Sequence, residues 1–538
     1  MYKSLLQTEW SLLSKDKMRD FLEKTQKEVF KTQREYDLFI APFVNDKDLV
    51  SLEGFARYLE SPKNEALRFS ATTVYQDMTQ PLSHYFVNSS HNTYLLGDQL
   101  RGKSSVEAYI RALQQGCRCV ELDCWDGPNN EPIIYHGHTL TTKIVFRDVI
   151  EAIKKYAFEA SDFPVILSLE NHCSVPQQQQ MAKIMVDVFG DLLCQDLVGN
   201  NDGTKVLPSP TLLKRKILVK GKALPQIAYV GLVEEEDDDD DDEDDDDTVQ
   251  PDKVPLDLKQ EAENFRQARK EMQKIKTKVS KELSDITIYC KQAHFKSFEY
   301  AKAKGFANHM SSFGEKKSEK FIAEHPREYV EYNRKQLSRI YPAGSRVDSS
   351  NYDPMPHWLS GCQVVALNYQ TVDRPMLLNL GKFRDNGGCG YILKPRHLLD
   401  DSVKAQPKTL KIKVISGQQL PKPAQSSKGE IIDPYVELDI IGREADCTKV
   451  KTKTIQDNGF NPVWNEDFEF NLTDPDLAIL LVTVMDKDLD KDDFIAYAYI
   501  PIPAIGQGYR HVRLTDSKNT AVPLAGIYLH IDLSGPKL

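Results

Sequence analysis

Three textures of apolar and polar positions follow one another along the chain. Residues 1–74 carry an intermittent helical stripe, Met18, Phe21, Leu22, Val29, Phe30 and Phe39, in a charged background, which predicts a helical lobe. From Tyr75 to about Lys222 short apolar runs alternate with helix-period stretches. Runs at His84–Val87, Arg118–Asp123, Ile133–Tyr135, Val165–Glu170 and Ile217–Lys220 predict strands, with helices at Ser104–Gln114, Thr142–Tyr156 and Gln177–Phe189 between them. Strands separated by helices pair in parallel under a helical cover. The pattern lapses over 224–283 and resumes over 284–398 with strands near His309–Phe313, Leu337–Tyr341 and Gln363–Tyr369. The total of eight predicts a (β/α)₈ barrel interrupted by an insertion. Beyond Pro395 the texture changes to short alternating strands such as Leu410–Ile415, Tyr435–Ile440, Phe468–Asn471 and Leu480–Met485, a β-sandwich over 405–536.

Composition sharpens this outline. The net charge of −11 is dominated by Glu234–Asp247, fourteen consecutive acidic residues, and the remaining chain is slightly basic. A block of like charge repels itself, so 224–283 reads as an acidic disordered linker inside the barrel. The slightly basic remainder suits an anionic lipid surface. The longest apolar run, Leu477–Met485, is far too short to span a bilayer, so membrane contact is expected to be peripheral. Nine scattered cysteines form neither a disulfide framework nor a C-x-x-C pair, which favours a reducing cytoplasmic compartment. Cys117, Cys119 and Cys124 are expected to be buried thiols.

Period-two alternation gathers the candidate chemistry. In Cys119-Val120-Glu121-Leu122-Asp123-Cys124 both acids face one way. With Asn92 after the first strand and Glu170 ending another, Glu121 and Asp123 complete an all-oxygen set. Three carboxylates and an amide suit calcium or magnesium rather than zinc. His91 and His136 stay available for proton transfer. Lys220 and Lys222 share a face with a glycine between them, and Ser312, Arg339 and Tyr341 add a hydroxyl, a guanidinium fork and a ring, a cradle for phosphate. A metal, two imidazoles and a separate cationic pocket together describe a phosphodiester substrate bearing extra phosphates.

The segments Ser90-His91-Asn92-Thr93-Tyr94, Gly116–Gly127, Tyr135-His136-Gly137 and Arg339-Ile340-Tyr341-Pro342-Ala343-Gly344 resemble eukaryotic phosphoinositide-specific phospholipase C, most nearly the delta class, with the zeta class as alternative. The likeness covers nearly the whole chain. It implies an EF-hand-like lobe (1–74), an X half (75–223), a linker (224–283), a Y half (284–398) and a C2 domain (405–536). Asn45, Asp46 and Asp48 are the remnant of an EF-hand loop without its full ligand set. The resemblance further implies calcium-dependent cleavage of phosphatidylinositol 4,5-bisphosphate to inositol 1,4,5-trisphosphate and diacylglycerol through a cyclic phosphodiester.

In that scheme Asn92, Glu121, Asp123 and Glu170 hold calcium, and Glu121 also serves as base for the inositol 2-hydroxyl. His136 protonates the leaving diacylglycerol and His91 stabilises the phosphoryl transition state. Lys220, Lys222, Ser312 and Arg339 hold the ring phosphates, with Tyr341 against the ring. In the C2 domain Asp433, Asp457, Asp486, Asp488 and Asp493 are expected to bind further calcium, although the loop Pro421–Gly429 lacks an additional aspartate. A monomer acting at a membrane surface in signal transduction, with no nucleic-acid partner, is expected.

Two departures stand out. Ser345 replaces a tryptophan of the family's apolar membrane ridge, and His138 replaces a frequent aromatic, leaving Leu100 and Leu140 as ridge candidates. The acidic run is expected to restrain the enzyme until a bilayer displaces it. Two rivals are a catalytically silent phosphoinositide-binding scaffold and a glycerophosphodiester phosphodiesterase. The first should lack a ligand or a histidine, and the second has no use for Lys220, Lys222 and Arg339.

Overall fold

A computed structural model describes residues 12–199, 201–224, 278–423, 431–488 and 491–535. The acidic run Glu234–Asp247 and most of the loop Pro421–Gly429 lie outside them. Two compact units are present, one of residues 76–379 with 388–403, the other of the remaining described residues.

The first unit is a closed barrel of eight parallel strands. They are β1 (Tyr85–Ser90), β2 (Cys119–Trp125), β3 (Val165–Asn171), β4 (Ile217–Gly221), β5 (Cys290–Gln292), β6 (His309–Gly314), β7 (Leu337–Tyr341) and β8 (Val364–Leu367). Neighbours in sequence pair in turn, and β1 closes the ring by pairing with β8 on one side and with β2 through Ser89 and Cys119 on the other. One apolar cluster takes a residue from every strand: Val87, Cys119, Ile166, Leu218, Cys290, Met310, Leu337 and Val364. Two residues further along, the same face turns polar on β1 to β7, with Ser89, Glu121, Ser168, Lys220, Gln292, Ser312 and Arg339, while β8 keeps Ala366 there. Val120, Leu122 and Cys124 face the other way, packed with the helices Val106–Gln114, Phe146–Tyr156 and Val175–Phe189. Cys117, Cys119 and Cys124 are buried free thiols, as expected.

The count of eight is right, but one member differs. Ile133–Ile134 is not a barrel strand. It pairs antiparallel with the end of β2 and with Ile144–Val145, making a small hairpin beside the barrel mouth. Its place in the ring belongs to β5, whose three residues directly after the charged stretch offer too little apolar periodicity to read. Residues 278–283, expected within the linker, are folded. Buried Gln178 accepts from Ser280 N (2.9 Å) and donates to Lys278 O (2.8 Å), and the side chain of Ser280 caps the helix Lys281–Asp285.

The second unit contains an antiparallel β-sandwich. One layer is β11–β10–β13–β14, from Thr448–Lys451, Pro434–Ile441, Ile479–Asp486 and Asp493–Pro501. The other is β15–β16–β9–β12, from Gly508–Thr515, Ala521–Ser534, Lys408–Gln418 and Val463–Leu472. A single register pair, Tyr497 with Thr515, joins them, and inward residues such as Leu438, Val482, Ile412 and Leu529 form the core. In the same unit the helices Lys15–Asp20, Gln33–Ile40 and Leu52–Glu60 enclose a core of Phe21, Phe39, Phe55 and Tyr58. Leu13 bridges to Val50, and Asn45 Oδ1 accepts from the N–H groups of Lys47 and Leu49, so this side chain supports its own loop.

In the barrel unit, Lys394 is buried with its ammonium donating to Asn333 O at 2.8 Å, and burial pushes its pKa down to about 7. Between pH 7 and roughly 10.4, the pKa of an unperturbed lysine, the unfolded chain holds a proton there that the folded one does not, so stability must rise with pH across that window. Chemical denaturation of wild type and Lys394→Met from pH 7 to pH 10 should show this rise in wild type and its reduction in the variant; parallel profiles would contradict it.

Candidate active site

The C-terminal ends of the barrel strands surround a cavity of about 640 Å³. Its polar layer follows from register. Glu121 on β2 is level with Ser168 on β3, Ser168 with Lys220 on β4, and Ser312 on β6 with Arg339 on β7; one step outward Asp123 is level with Glu170. The loop after β1 brings in Asn92, whose positive φ of 40° is tolerable for asparagine. The turn aims its N–H at Glu121 Oε2 (2.8 Å).

Each acid is held differently. Glu121 Oε2 stands 2.6 Å from NH2 of Arg339, both side chains about 5% exposed or less, in a contact close enough for an ion pair but not aligned as a hydrogen bond. Nε of Arg339 has no hydrogen-bond partner. Asp123 accepts from Trp125 Nε1 (2.7 Å) and Gly137 N (3.1 Å), with Tyr94 OH at 3.4 Å. Gly137 is required there, since a Cβ would fall 1.8 Å from the Trp125 ring. Burial, then the nearby charge of Glu170, push the Asp123 pKa well above the carboxylate range. Two carboxylates forced together in a half-dry mouth fit a divalent cation, which would remove that penalty. Ligand atoms of Asp123, Glu170 and His172 all lie within 4.8 Å of one another.

His172 was not picked out from sequence. Its ring stacks on Trp125 (centroids 4.2 Å apart, 20° between planes), and its Nε2 is 3.2 Å from Glu170 Oε1 and 3.5 Å from Asp123 Oδ1. The adjacent Glu170-Asn171-His172 was on view, but nothing local shows that the ring turns back over the acids.

Both predicted histidines line the cavity. The carbonyl of Gln99 accepts from His136 Nδ1 at 2.6 Å, leaving Nε2 as the ring's other nitrogen. His91 Nδ1 is 2.9 Å from Asn368 Oδ1. Desolvation pushes the His91 pKa down against the opposing pull of Glu121.

Of the phosphate cradle, Lys220 is buried, and desolvation followed by the Arg339 charge lowers its pKa to about 8. Ser312 Oγ is buried with no hydrogen-bond partner. Tyr341 lies 5.7 Å under the Arg339 guanidinium, and Lys222 is exposed at the rim. Of the two ridge candidates Leu140 is 68% exposed, but Leu100 is 1% exposed and is no ridge residue. Its carbonyl accepts from Leu140 N at 2.9 Å, which ties the two loops together.

In the sandwich, Asp433, Asp457, Asp486 and Asp493 converge at one end. Asp433 N donates to Asp486 Oδ1 (2.7 Å), Asp457 N donates to Asp433 Oδ1 (2.7 Å), and Asp486 is in register with Asp493. Asp488 follows two residues after Asp486, beyond the end of β13. At least two of these carboxylates thus accept backbone N–H groups. Among the described residues no helix is long and apolar enough to cross a membrane.

Comparison with known proteins agrees with this geometry. Residues 78–223 match the phosphatidylinositol-specific phospholipase C X domain, 283–397 the Y domain and 408–516 the C2 domain. The chain is 44% identical over 509 residues to 1-phosphatidylinositol 4,5-bisphosphate phosphodiesterase delta-4 of Xenopus laevis, covering 91% of this chain and 65% of that protein. It is 46% identical over 495 residues to the delta-1 protein of Rattus norvegicus, covering 89% and 64%. The crystal structure of L. pealei PLC21 superposes with a TM-score of 0.79 at 35% identity, covering all of this chain and 68% of that one. The chain therefore spans a little under two thirds of the length of these two curated relatives. With every strand of the barrel mouth inside the matched regions, the chain belongs to the phosphoinositide-specific phospholipase C family.

Proposed function

We propose that the protein is a calcium-dependent phosphoinositide phospholipase C that cleaves phosphatidylinositol 4,5-bisphosphate to inositol 1,4,5-trisphosphate and diacylglycerol in signal transduction. The observation that carries this reading is the pairing, in one cavity, of an acidic rim with a buried cationic floor of Lys220 and Arg339, in which Ser312 Oγ and Arg339 Nε have no hydrogen-bond partner. A glycerol headgroup has no phosphates for that floor. A silent scaffold needs no pair of histidines with both Nδ1 atoms tied back.

Asn92, Glu121, Asp123 and Glu170 would hold the ion, the Asn92 amide and three carboxylates being hard oxygen donors. Calcium, when bound, would lower the pKa of the inositol 2-hydroxyl and offset phosphoryl charge. Glu121 takes the proton from that hydroxyl as its oxygen bonds to phosphorus. The bond from phosphorus to the glycerol oxygen breaks, and His136 delivers a proton to that oxygen. His91 stabilises the charged phosphoryl group. Water then opens the cyclic phosphodiester, with the acid and base roles exchanged. Lys220, Lys222, Ser312 and Arg339 grip the ring phosphates, with Tyr341 against the ring.

Outside the barrel, Asp433, Asp457, Asp486, Asp488 and Asp493 would take calcium and bridge the sandwich to anionic headgroups, with Leu140 entering the surface. The protein would then act as a peripheral, cytoplasmic monomer with no nucleic-acid partner. The names of the delta-4 and delta-1 relatives support this substrate.

Release of inositol phosphates from phosphoinositide vesicles should rise with calcium, and His136→Ala should lower the rate by about 10²–10⁴-fold, the usual share of a general acid. A wild type that binds such vesicles but releases nothing would return the scaffold reading. Lys220→Met should lose about 10–100-fold in kcat/KM on the bisphosphorylated lipid, the value of a hydrogen bond to a charged group, while changing little on unphosphorylated phosphatidylinositol. Equal losses on both lipids would remove Lys220 from the cradle.

A further inference from the structure

Next to Asn92, at the cavity wall, runs a chain of buried side chains, Gln99, Ser349 and Asn368, that the mechanism above does not use. Its direction can be worked out because it is rooted in two backbone carbonyls, which only accept. Gly97 O takes the proton of Ser349 Oγ (2.8 Å), so Ser349 accepts from Gln99 Nε2 (2.8 Å). Gln99 must then turn its Oε1 to Asn92 Nδ2 (2.7 Å). This fixes which end of the Gln99 amide faces the neighbouring Asn368.

The second root is Ser350 O, which accepts from Asn368 Nδ2 (3.2 Å). The Asn368 oxygen therefore faces the other way, where it takes Gln99 Nε2 (3.3 Å) and stands 2.9 Å from His91 Nδ1. Asn368 N donates to Asn351 Oδ1 (2.6 Å), which pins the backbone beneath the side chain. Gln99, Ser349 and Asn368 are each 6% exposed or less, so water does not compete for these groups. Turning the Asn368 amide over would set its NH₂ against the Gln99 NH₂ and its oxygen against the Ser350 carbonyl.

We infer that Asn368 is a positioning residue that holds His91 in the tautomer protonated on Nδ1, so that Nε2 is the nitrogen offered to the substrate. An amide oxygen cannot donate, so the contact forms only when His91 brings the proton. The histidine lies before the linker and its orienting amide after it, 277 residues apart in sequence. The consequence for turnover rests on the reading of His91 given under Proposed function. The tautomer itself does not.

The test uses the full chain labelled with ¹⁵N-histidine, the His91 signals being assigned by their loss in His91→Gln. In wild type the neutral ring should carry its proton on Nδ1. Asn368→Ala should move a substantial share of it to Nε2, and Asn368→Asp, which keeps an acceptor in the same place, should restore Nδ1. On vesicles, Asn368→Ala should lower kcat by about 10²-fold or more with KM little changed, and Asn368→Asp should recover part of the loss. A wild-type ring protonated on Nε2, or a ring that ignores Asn368→Ala, overturns the inference. A wild type that shows the Nδ1 proton yet releases no inositol phosphate overturns the catalytic reading and upholds the assignment of Asn368.

Discussion

Glu121 and Arg339 meet at 2.6 Å from strands on opposite sides of the linker, both side chains about 5% exposed or less. A carboxylate or a guanidinium this deeply buried is costly unless an opposite charge faces it. Glu121 comes from β2 and Arg339 from β7, so this ion pair forms only across the two halves of the barrel. Ring closure therefore brings together two strands and also settles the electrostatics of the mouth. Ser312, level with Arg339, and Lys220, two strands from Glu121, share that buried layer.

The two sides of the layer remain unbalanced in opposite senses. Desolvation and Arg339 lower the pKa of Lys220, while desolvation and Glu170 raise that of Asp123. Each group is in surroundings that disfavour its charged form, the expected condition of a site whose counter-charges arrive with its ligands. Supporting contacts prevent the simple escape of side chains swinging out to solvent. Trp125 and Gly137 hold Asp123, the Gln99 carbonyl holds His136, and Thr93 Oγ1 accepts from Glu121 N at 2.9 Å. Such prior fixing of charge and hydrogen bond means that little reorganisation is needed once a substrate is bound.

How far these features were legible depends on how local their cause is. The face shared by Glu121 and Asp123, or by Lys220 and Lys222, follows from a period of two within a single strand. The ring was countable for the same reason, yet Ile133–Ile134 and β5 exchanged places. A two-residue hairpin with an apolar face reads as a strand, and a three-residue strand beginning Cys290-Lys291 scarcely reads at all. Leu100 was expected at the surface because leucine in a loop carries no mark of which way it turns. His172 and Gln99 passed unnoticed because their contacts with Asp123 and Asn368 exist only once separate strands and loops converge.

By itself, the sequence determined the order of lobe, split barrel and sandwich, the two chemistries at the barrel mouth, and the family whose motifs carry them. Those are properties of neighbouring residues, which backbone periodicity and side-chain type impose before any distant contact forms. Only the tertiary structure decided which strands complete the ring, that Glu121 is matched by Arg339, and that the amide of Asn368 reaches His91 across 277 residues. Direction and partnership in a hydrogen-bonded network depend on where chain closure places each donor and acceptor, and no local pattern encodes that.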